Sequence, residues 1–186
     1  ALNGGIVAGY DVTATAPNRD ADGYQLGMGV NPFGRVASTA IFVPGYSIAG
    51  CGNTDAGVIR SVYTNGARIN TNSWGATIPP TVYDDSDQAY DIGTRDADLT
   101  LAGNQELIQL FAAANDGPGP STVSSPGAGK NVITVGASEN VRPGWTDGCN
   151  SGPTDADNAM DVVGFSSRGP APGQRAKPEV IAPGTH

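Results

Sequence analysis

The chain has 186 residues, enough for one domain with a hydrophobic core. Its 27 Gly and 14 Pro, against 6% aromatic residues, are scattered among apolar runs, which argues against a helical bundle and against low-complexity or collagen-like sequence. A formal charge of −8 excludes the basic footprint that nucleic acid or an anionic membrane demands, and no apolar run approaches the ~20 residues that span a bilayer.

The chain opens at Ala1 with no basic and apolar leader, in keeping with a processed or excised piece. Leu2 to Tyr10 reads as the tail of a helix. Val36 to Phe42 is the first β-branched or small-apolar run, and is predicted to be a strand. Thr54 to Asn65 reads as a helix, with Thr54 or Asn53 to cap its start and Gly66 to end it. Arg68 to Trp74 is a second strand. Ser86 to Leu99, rich in Asp, is a second helix. Three more strands are predicted at Leu107 to Ala114, Val132 to Val135 and Glu179 to Ala182. Between the last two, Trp145 to Asp161 carries several Asp among Gly and Pro and reads as a surface excursion.

Strand alternating with helix is the pattern of an α/β fold, a doubly wound, mostly parallel sheet with right-handed crossovers. Strands of this apolar character are expected to be covered on both faces. Ligands of such sheets bind beyond the carboxyl ends of the strands, which directs attention to Ser73-Trp74-Gly75 and to Ala114-Asn115-Asp116-Gly117. No linker divides the sequence, so residues 1–186 are expected to form a single domain.

Cys51 and Cys149 are far apart. One disulfide closing a long loop, as in secreted proteins, and two unpaired thiols are both open readings. Neither cysteine has a second Cys or a His at metal spacing, which argues against zinc. Carboxylates gather at Asp84, Asp85, Asp87 and Asp91, and again at Asp147, Asp155, Asp157 and Asp161. Calcium takes oxygen ligands from such loops, although neither cluster matches an EF-hand and solvated acidic loops account for them equally well.

Five stretches, in order, resemble the subtilisin-like serine peptidases. Gly27-Met28-Gly29-Val30-Asn31-Pro32-Phe33-Gly34-Arg35-Val36 resembles the segment leading into a central strand of that family. Arg68-Ile69-Asn70-Thr71-Asn72-Ser73-Trp74-Gly75 resembles its VIN-x-S-(L/W)-G strand and loop. Phe111-Ala112-Ala113-Ala114-Asn115-Asp116-Gly117 resembles AAGN-x-G. Ser125-Pro126-Gly127 with Lys130 to Ala137 resembles the family's proline loop and VI-x-VGA strand. Phe165-Ser166-Ser167-Arg168-Gly169-Pro170 with Lys177 to Gly184 resembles FSSRGP followed by KPD-(V/I)-x-APG. Five collinear motifs over nearly the whole chain are a specific signal.

The resemblance implies a subtilisin-like sheet truncated at both ends. It also implies that the side-chain amide of Asn115 is an oxyanion donor, the one catalytic element assignable. Ser73, Trp74 and Gly75 would form one wall of the primary substrate pocket and pair with substrate backbone; Ala112, Ala113 and Ala114 would form the opposite wall. Gly50-Cys51-Gly52 would border further subsites, and Ser125-Pro126 falls where the family tends to have a cis peptide. Such enzymes are secreted, act on peptides or proteins, and frequently bind calcium.

The departures are equally plain. The family's D-(T/S)-G, HGT and GTS-M-A-x-P motifs are absent, the sole histidine is His186, and Ala114 stands where the family usually has Gly. No Gly-x-Ser-x-Gly elbow occurs; Gly164-Phe165-Ser166-Ser167-Arg168 breaks that pattern at its last position. Two readings follow. One is a portion of a secreted endopeptidase, inactive alone, with apolar edges through which it self-associates. The other is a non-catalytic peptide-binding or structural domain, or a hydrolase with an unrecognised site.

Overall fold

The structure, a computed structural model, describes residues 19, 21, 23, 35–42, 45–76, 82–141 and 152–185. The predicted helix tail at Leu2 to Tyr10 and most of the motif at Gly27 to Val36 lie outside these residues. The chain divides into two units, Ala1–Ser47 and Ile48–His186.

In the first unit the predicted strand at Val36 to Phe42 does not form. Residues 35–40 are exposed and without regular structure. Phe42 makes an isolated antiparallel bridge with Tyr46 across Gly45, whose φ is +82°, and the two rings lie 5.7 Å apart. A strand is held by its ladder partner, and Ala37, Ser38 and Ala40 offer little side chain to pack. Among the described residues the run is paired at its end, by the Phe42–Tyr46 bridge and by the Ser47 amide on Ile41 O at 2.7 Å.

The second unit follows the predicted order. Helix α1 (Asp55–Thr64) starts where Thr54 Oγ1 accepts the Gly57 amide at 3.0 Å, and Asp55 sits favourably at the positive end of the helix dipole. It runs out at Asn65, followed by Gly66 with φ +95°. Strand β1 (Ile69–Asn72) comes next, then helix α2 (Asp85–Arg95), whose start is a reciprocal box. Asp84 accepts the Asp87 amide, and Asp87 accepts the Asp84 amide. Strands β2 (Ile108–Ala112), β3 (Ile133–Ser138) and β4 (Val180–Pro183) complete a four-stranded sheet in the order β1-β2-β3-β4. All neighbours are parallel, in a register that pairs Ile69 with Ile108, Leu110 with Ile133, and Val135 with Val180. This is the expected α/β, parallel-sheet architecture.

Both helices pack on the sheet face that carries Gln109 and Phe111. The core there comprises Ile59, Tyr90, Ala97, Leu107, Phe111 and Val132, with Trp74 against it. Phe111 meets Tyr90 edge-on at 4.7 Å and Trp74 at 5.7 Å, while Trp74 meets Tyr90 at 5.9 Å. Gly93 lets the helices close up, since a Cβ there would lie 2.7 Å from Ile59 Cγ2. The expectation that both faces are covered is corrected. On the other face Ile69, Ile108, Ile133 and Val180 are 38% to 61% exposed. The cause is the alternation along each strand: side chains in register from β1 to β4 share one face, and among the described residues both long helices lie on the opposite one.

Beta-4 is locked to β3 by a charged clamp. The Lys177 ammonium, almost wholly buried, donates to Val132 O at 2.9 Å and Thr134 Oγ1 at 3.1 Å and pairs with Glu179 at 2.6 Å. Glu179 in turn accepts the Thr134 amide at 2.7 Å and donates its own amide to Thr134 O. Removing Glu179's charge strands a buried cation, whereas removing the lysine does not. Lys177→Met is therefore expected to lose about 1–2 kcal/mol and Glu179→Gln about 3 kcal/mol in denaturant melts. A larger loss for Lys177→Met than for Glu179→Gln contradicts this account of the clamp.

Candidate functional site

Because β1 and β2 are parallel neighbours, the segments that follow them leave the sheet on the same edge. One is Ser73 to Ala76, the other Ala113 to Gly117. The structure thus brings together the two loops singled out in the sequence.

After β2 the chain continues in the ladder for one residue, with the Ala113 amide on Val135 O at 2.9 Å. It then turns sharply at Ala114, whose φ is +87°. The next residues are held from behind. Ser167 N donates to Ala114 O at 3.1 Å, Asp116 N to Ser167 Oγ at 3.0 Å, and Gly117 N to Phe165 O at 2.9 Å. Gly117 has no room for a side chain, since a Cβ would lie 2.2 Å from Ser166 O. These bonds consume backbone groups and leave the exposed side-chain amide of Asn115 without a hydrogen bond among the described residues. The three alanines do not make one flat wall. Ala112 is exposed, Ala113 is 2% exposed and turned inward, and Ala114 forms the turn.

On the facing loop Ser73 and Gly75 are exposed and donate no backbone hydrogen bond to a described residue. Trp74 between them turns inward onto Tyr90 and Phe111, with its indole N–H on Asn72 Oδ1 at 3.2 Å. It anchors the loop from below, while Ser73 and Gly75 face outward.

A third segment, Ser124 to Gly127, ties the two loops together. Ser124 N donates to Ala113 O at 3.2 Å, Ser124 Oγ donates to Ala76 O at 2.7 Å, and the Ala76 amide returns to Ser125 O at 2.8 Å. A Cβ on Gly75 would lie 2.5 Å from Ser124 Oγ, so the contact is closed. The Ser125–Pro126 bond is cis, as the family resemblance implies. Sequence reading noted the proline but missed Ser124. The only available signal was a pair of serines before a proline in a loop of small residues, where short side chains that bond backbone are common.

Gly50, Cys51 and Gly52 lie around a short helical turn at Ala49–Cys51. Cys51 and Gly52 line a cavity of about 290 Å³ between α1 and α2, with Arg60, Asp96 and Asp98. Cys51 is a half-buried free thiol. Cys149, Asp147 and His186 lie outside the described residues.

Several of the clustered carboxylates accept from the protein's own N–H and O–H groups. Asp91 accepts from Tyr83 Oη at 2.6 Å and from the amides of Lys130 and Asn131 at 2.9 and 2.6 Å. Burial, reinforced by that bond to Asp91, raises the Tyr83 phenol above its ordinary range. Asp87 is fully buried; burial, with the Asp84 charge beside it, outweighs the amide, hydroxyl and Arg175 contacts and pushes it up to about 6. In the second cluster Asp155 accepts the Gly152 amide, and Glu139, outside the cluster, accepts the backbone amides of Asp157 and Asn158. Among the described residues no three acidic, His or Cys side chains converge as a metal site.

The backbone at Ala114 is where this edge carries strain, because a positive φ costs a residue with a Cβ roughly 1–2 kcal/mol. Ala114→Gly is expected to stabilise the chain by about 1 kcal/mol, after the greater freedom of glycine in the unfolded chain is subtracted. A thermal midpoint that falls on this substitution rules the strain out.

The subtilase family model matches residues 4–186. Serine protease AprX of Bacillus subtilis (strain 168) is 39% identical over 80 residues, which are 43% of this chain and 16% of AprX. Two solved structures, sphericase (24% identity, TM-score 0.45) and S41 psychrophilic protease (25%, 0.42), each align with 69% of this chain and 37% of their own. The chain therefore matches well under half the length of each of these proteins. With a family model spanning nearly all 186 residues, the chain belongs to the subtilase family.

Proposed function

We propose that these 186 residues supply a serine endopeptidase with its oxyanion asparagine and its peptide-binding loops, and that alone they do not hydrolyse substrate. The observation that carries the reading is the uncommitted amide of Asn115, exposed just beyond the carboxyl end of β2 on a loop whose backbone is fastened from behind. An oxyanion donor must be fixed in place yet unpaired in the resting protein, because its partner forms only as the carbonyl is attacked.

Ser73 and Gly75, whose amides donate to no described residue, suit the strand-like pairing by which an extended peptide is held. Nucleophile and base are a different matter. Acyl transfer needs a serine activated by a histidine and its carboxylate, and none of the family's three triad motifs occurs in these 186 residues. In this reading the parent is a secreted enzyme acting on peptides or proteins. No helix among the described residues is long and apolar enough to cross a membrane.

Two measurements test the reading. In the full-length protein Asn115→Ala is expected to lower kcat by about 10²–10³-fold with little change in KM, a magnitude that comes from a member of this same family. Unchanged kcat removes Asn115 from the reaction. The 186-residue chain alone is expected to resist labelling by a fluorophosphonate and to leave a fluorogenic peptide uncut. A labelled serine within it overturns the claim that it is inert.

A further inference from the structure

The first turn of α2 holds a carboxylate that the proposed function does not use. Asp87 has no exposed surface, and its Oδ1 is buried without a hydrogen-bond partner. Its Oδ2 accepts the Asp84 amide at 3.2 Å. Asp84 Oδ1 accepts the Asp87 amide at 2.9 Å and also the Ser125 hydroxyl at 2.8 Å. One pair of carboxylates therefore holds both the start of α2 and the middle of the segment that ties the two loops together.

The charged and titratable groups around Asp87 come from three places. Asp84 and Tyr83 precede it at the cap, and Asp91 lies one helical turn further on the same face. Arg175, whose positive charge favours ionised Asp87, approaches from the Ala171–Arg175 turn. The Arg175 guanidinium is spent on the carbonyls of Pro172 and Ala128 rather than on a carboxylate, and its Nε is likewise buried without a partner. Asp87 is thus left with a second carboxylate beside it, no direct ion pair and an unsatisfied oxygen, and the nearby Ser125 hydroxyl and Arg175, which favour its charged form, do not outweigh its burial. A charge in that setting is disfavoured, and a proton relieves both the burial and the repulsion.

We propose that a proton on Asp87 sets how firmly α2 grips the Ser124–Pro126 segment, and hence how rigidly the Ser73–Gly75 loop and the end of β2 are spaced. With Asp87 neutral, Asp84 carries the only charge in the box and keeps its bond to the Ser125 hydroxyl. With Asp87 ionised, two adjacent carboxylates repel, and the shared hold on Ser125 weakens. The folded-state pKa lies above the ordinary carboxylate value, so the folded chain holds its proton more tightly than the unfolded one. The stabilisation is full below pH ~4 and is lost as pH rises through about 6. Only the consequence for substrate rests on the proposed function; the proton linkage is a property of the fold.

The test reads the fold and not peptidase activity, so its failure is distinct from failure of the proposed function. Hydrogen exchange of the Ala76 amide, which is bonded to Ser125 O, is followed by NMR from about pH 4.5 to 7.5 and corrected for the intrinsic pH dependence of exchange. In the unsubstituted chain, protection at Ala76 is expected to fall roughly tenfold between about pH 5 and 7. Asp87→Asn, which keeps an acceptor for the Asp84 amide, is expected to hold protection level. Ser125→Ala, which leaves both carboxylates in place but cuts the link, is expected to give low protection at every pH. The proposal is overturned by level protection in the unsubstituted chain, or by the same fall in either variant. Should Asp87→Asn not fold, the Ser125→Ala comparison decides alone.

Discussion

The feature on which the rest of this molecule depends is the parallel pairing of β1 with β2, fixed in register from Ile69–Ile108 to Asn72–Phe111. Parallel pairing is what sends two separate chain segments off the same edge of the sheet. The packing beneath it defends that register. A one-residue slip of β2 would swing Phe111 out of its contacts with Tyr90 and Trp74 and bury Leu110 or Ala112 in their place. Trp74 belongs to both core and loop, since its ring packs against the core while its backbone lies in the loop. Loop position is thereby coupled to the best-packed part of the protein.

Parallel pairing alone sets direction, not spacing. Spacing comes from the Ser124–Gly127 segment, which bonds Ala113 on one side and Ala76 on the other through short side chains and backbone. Short polar residues suit this duty because their hydroxyls reach backbone groups without adding bulk. Where the approach is closest, at Gly75 and Gly117, the structure tolerates no side chain. The same device recurs behind Asn115, where Ser166 and Ser167, each 1% exposed, take the amides of Ala137 and Asp116. Both loops are therefore held by main-chain bonds, and the side chains on their outer surface are free for other work.

Much of this was legible in the sequence, for identifiable reasons. The Thr54 cap and the Gly66 stop of α1, and the β-branched or small-apolar runs at β1 to β4, are local signals, and the local structure agrees with them. The motif around Asn115 gave the position of the turn, and the alanine in place of glycine at 114 marked where its backbone is strained. What was not legible depends on partners distant in the chain. Val36 to Phe42 has strand composition but no ladder partner among the described residues, and composition does not provide one. The exposed face bearing Ile69, Ile108 and Ile133 followed from where the helices lie, which residue type alone does not reveal. The Ser124 tie joins residues about fifty positions apart, and the serine pair before Pro126 marks a loop without naming its distant partner.

The acidic residues of α2 show how one composition supports opposite readings. Asp84, Asp85, Asp87 and Asp91 resemble a set of cation ligands when read along the chain. In the fold they diverge: Asp84 and Asp87 serve the cap, Asp91 holds Tyr83 and the Lys130–Asn131 turn, and Asp85 is exposed. A helix presents residues three and four apart on one face and separates immediate neighbours, so Asp85 is turned away from Asp87 and Asp91, and these two, though on one face, are taken up by different partners. The first turn gains from negative charge through the helix dipole, which is reason enough for acidic residues to collect there. Burial then distinguishes them. Asp85 faces solvent and is unconstrained, while Asp87, two residues on, is enclosed beside a second carboxylate. That difference in surroundings, invisible in the sequence, makes one of four similar residues the group whose ionisation the fold resists.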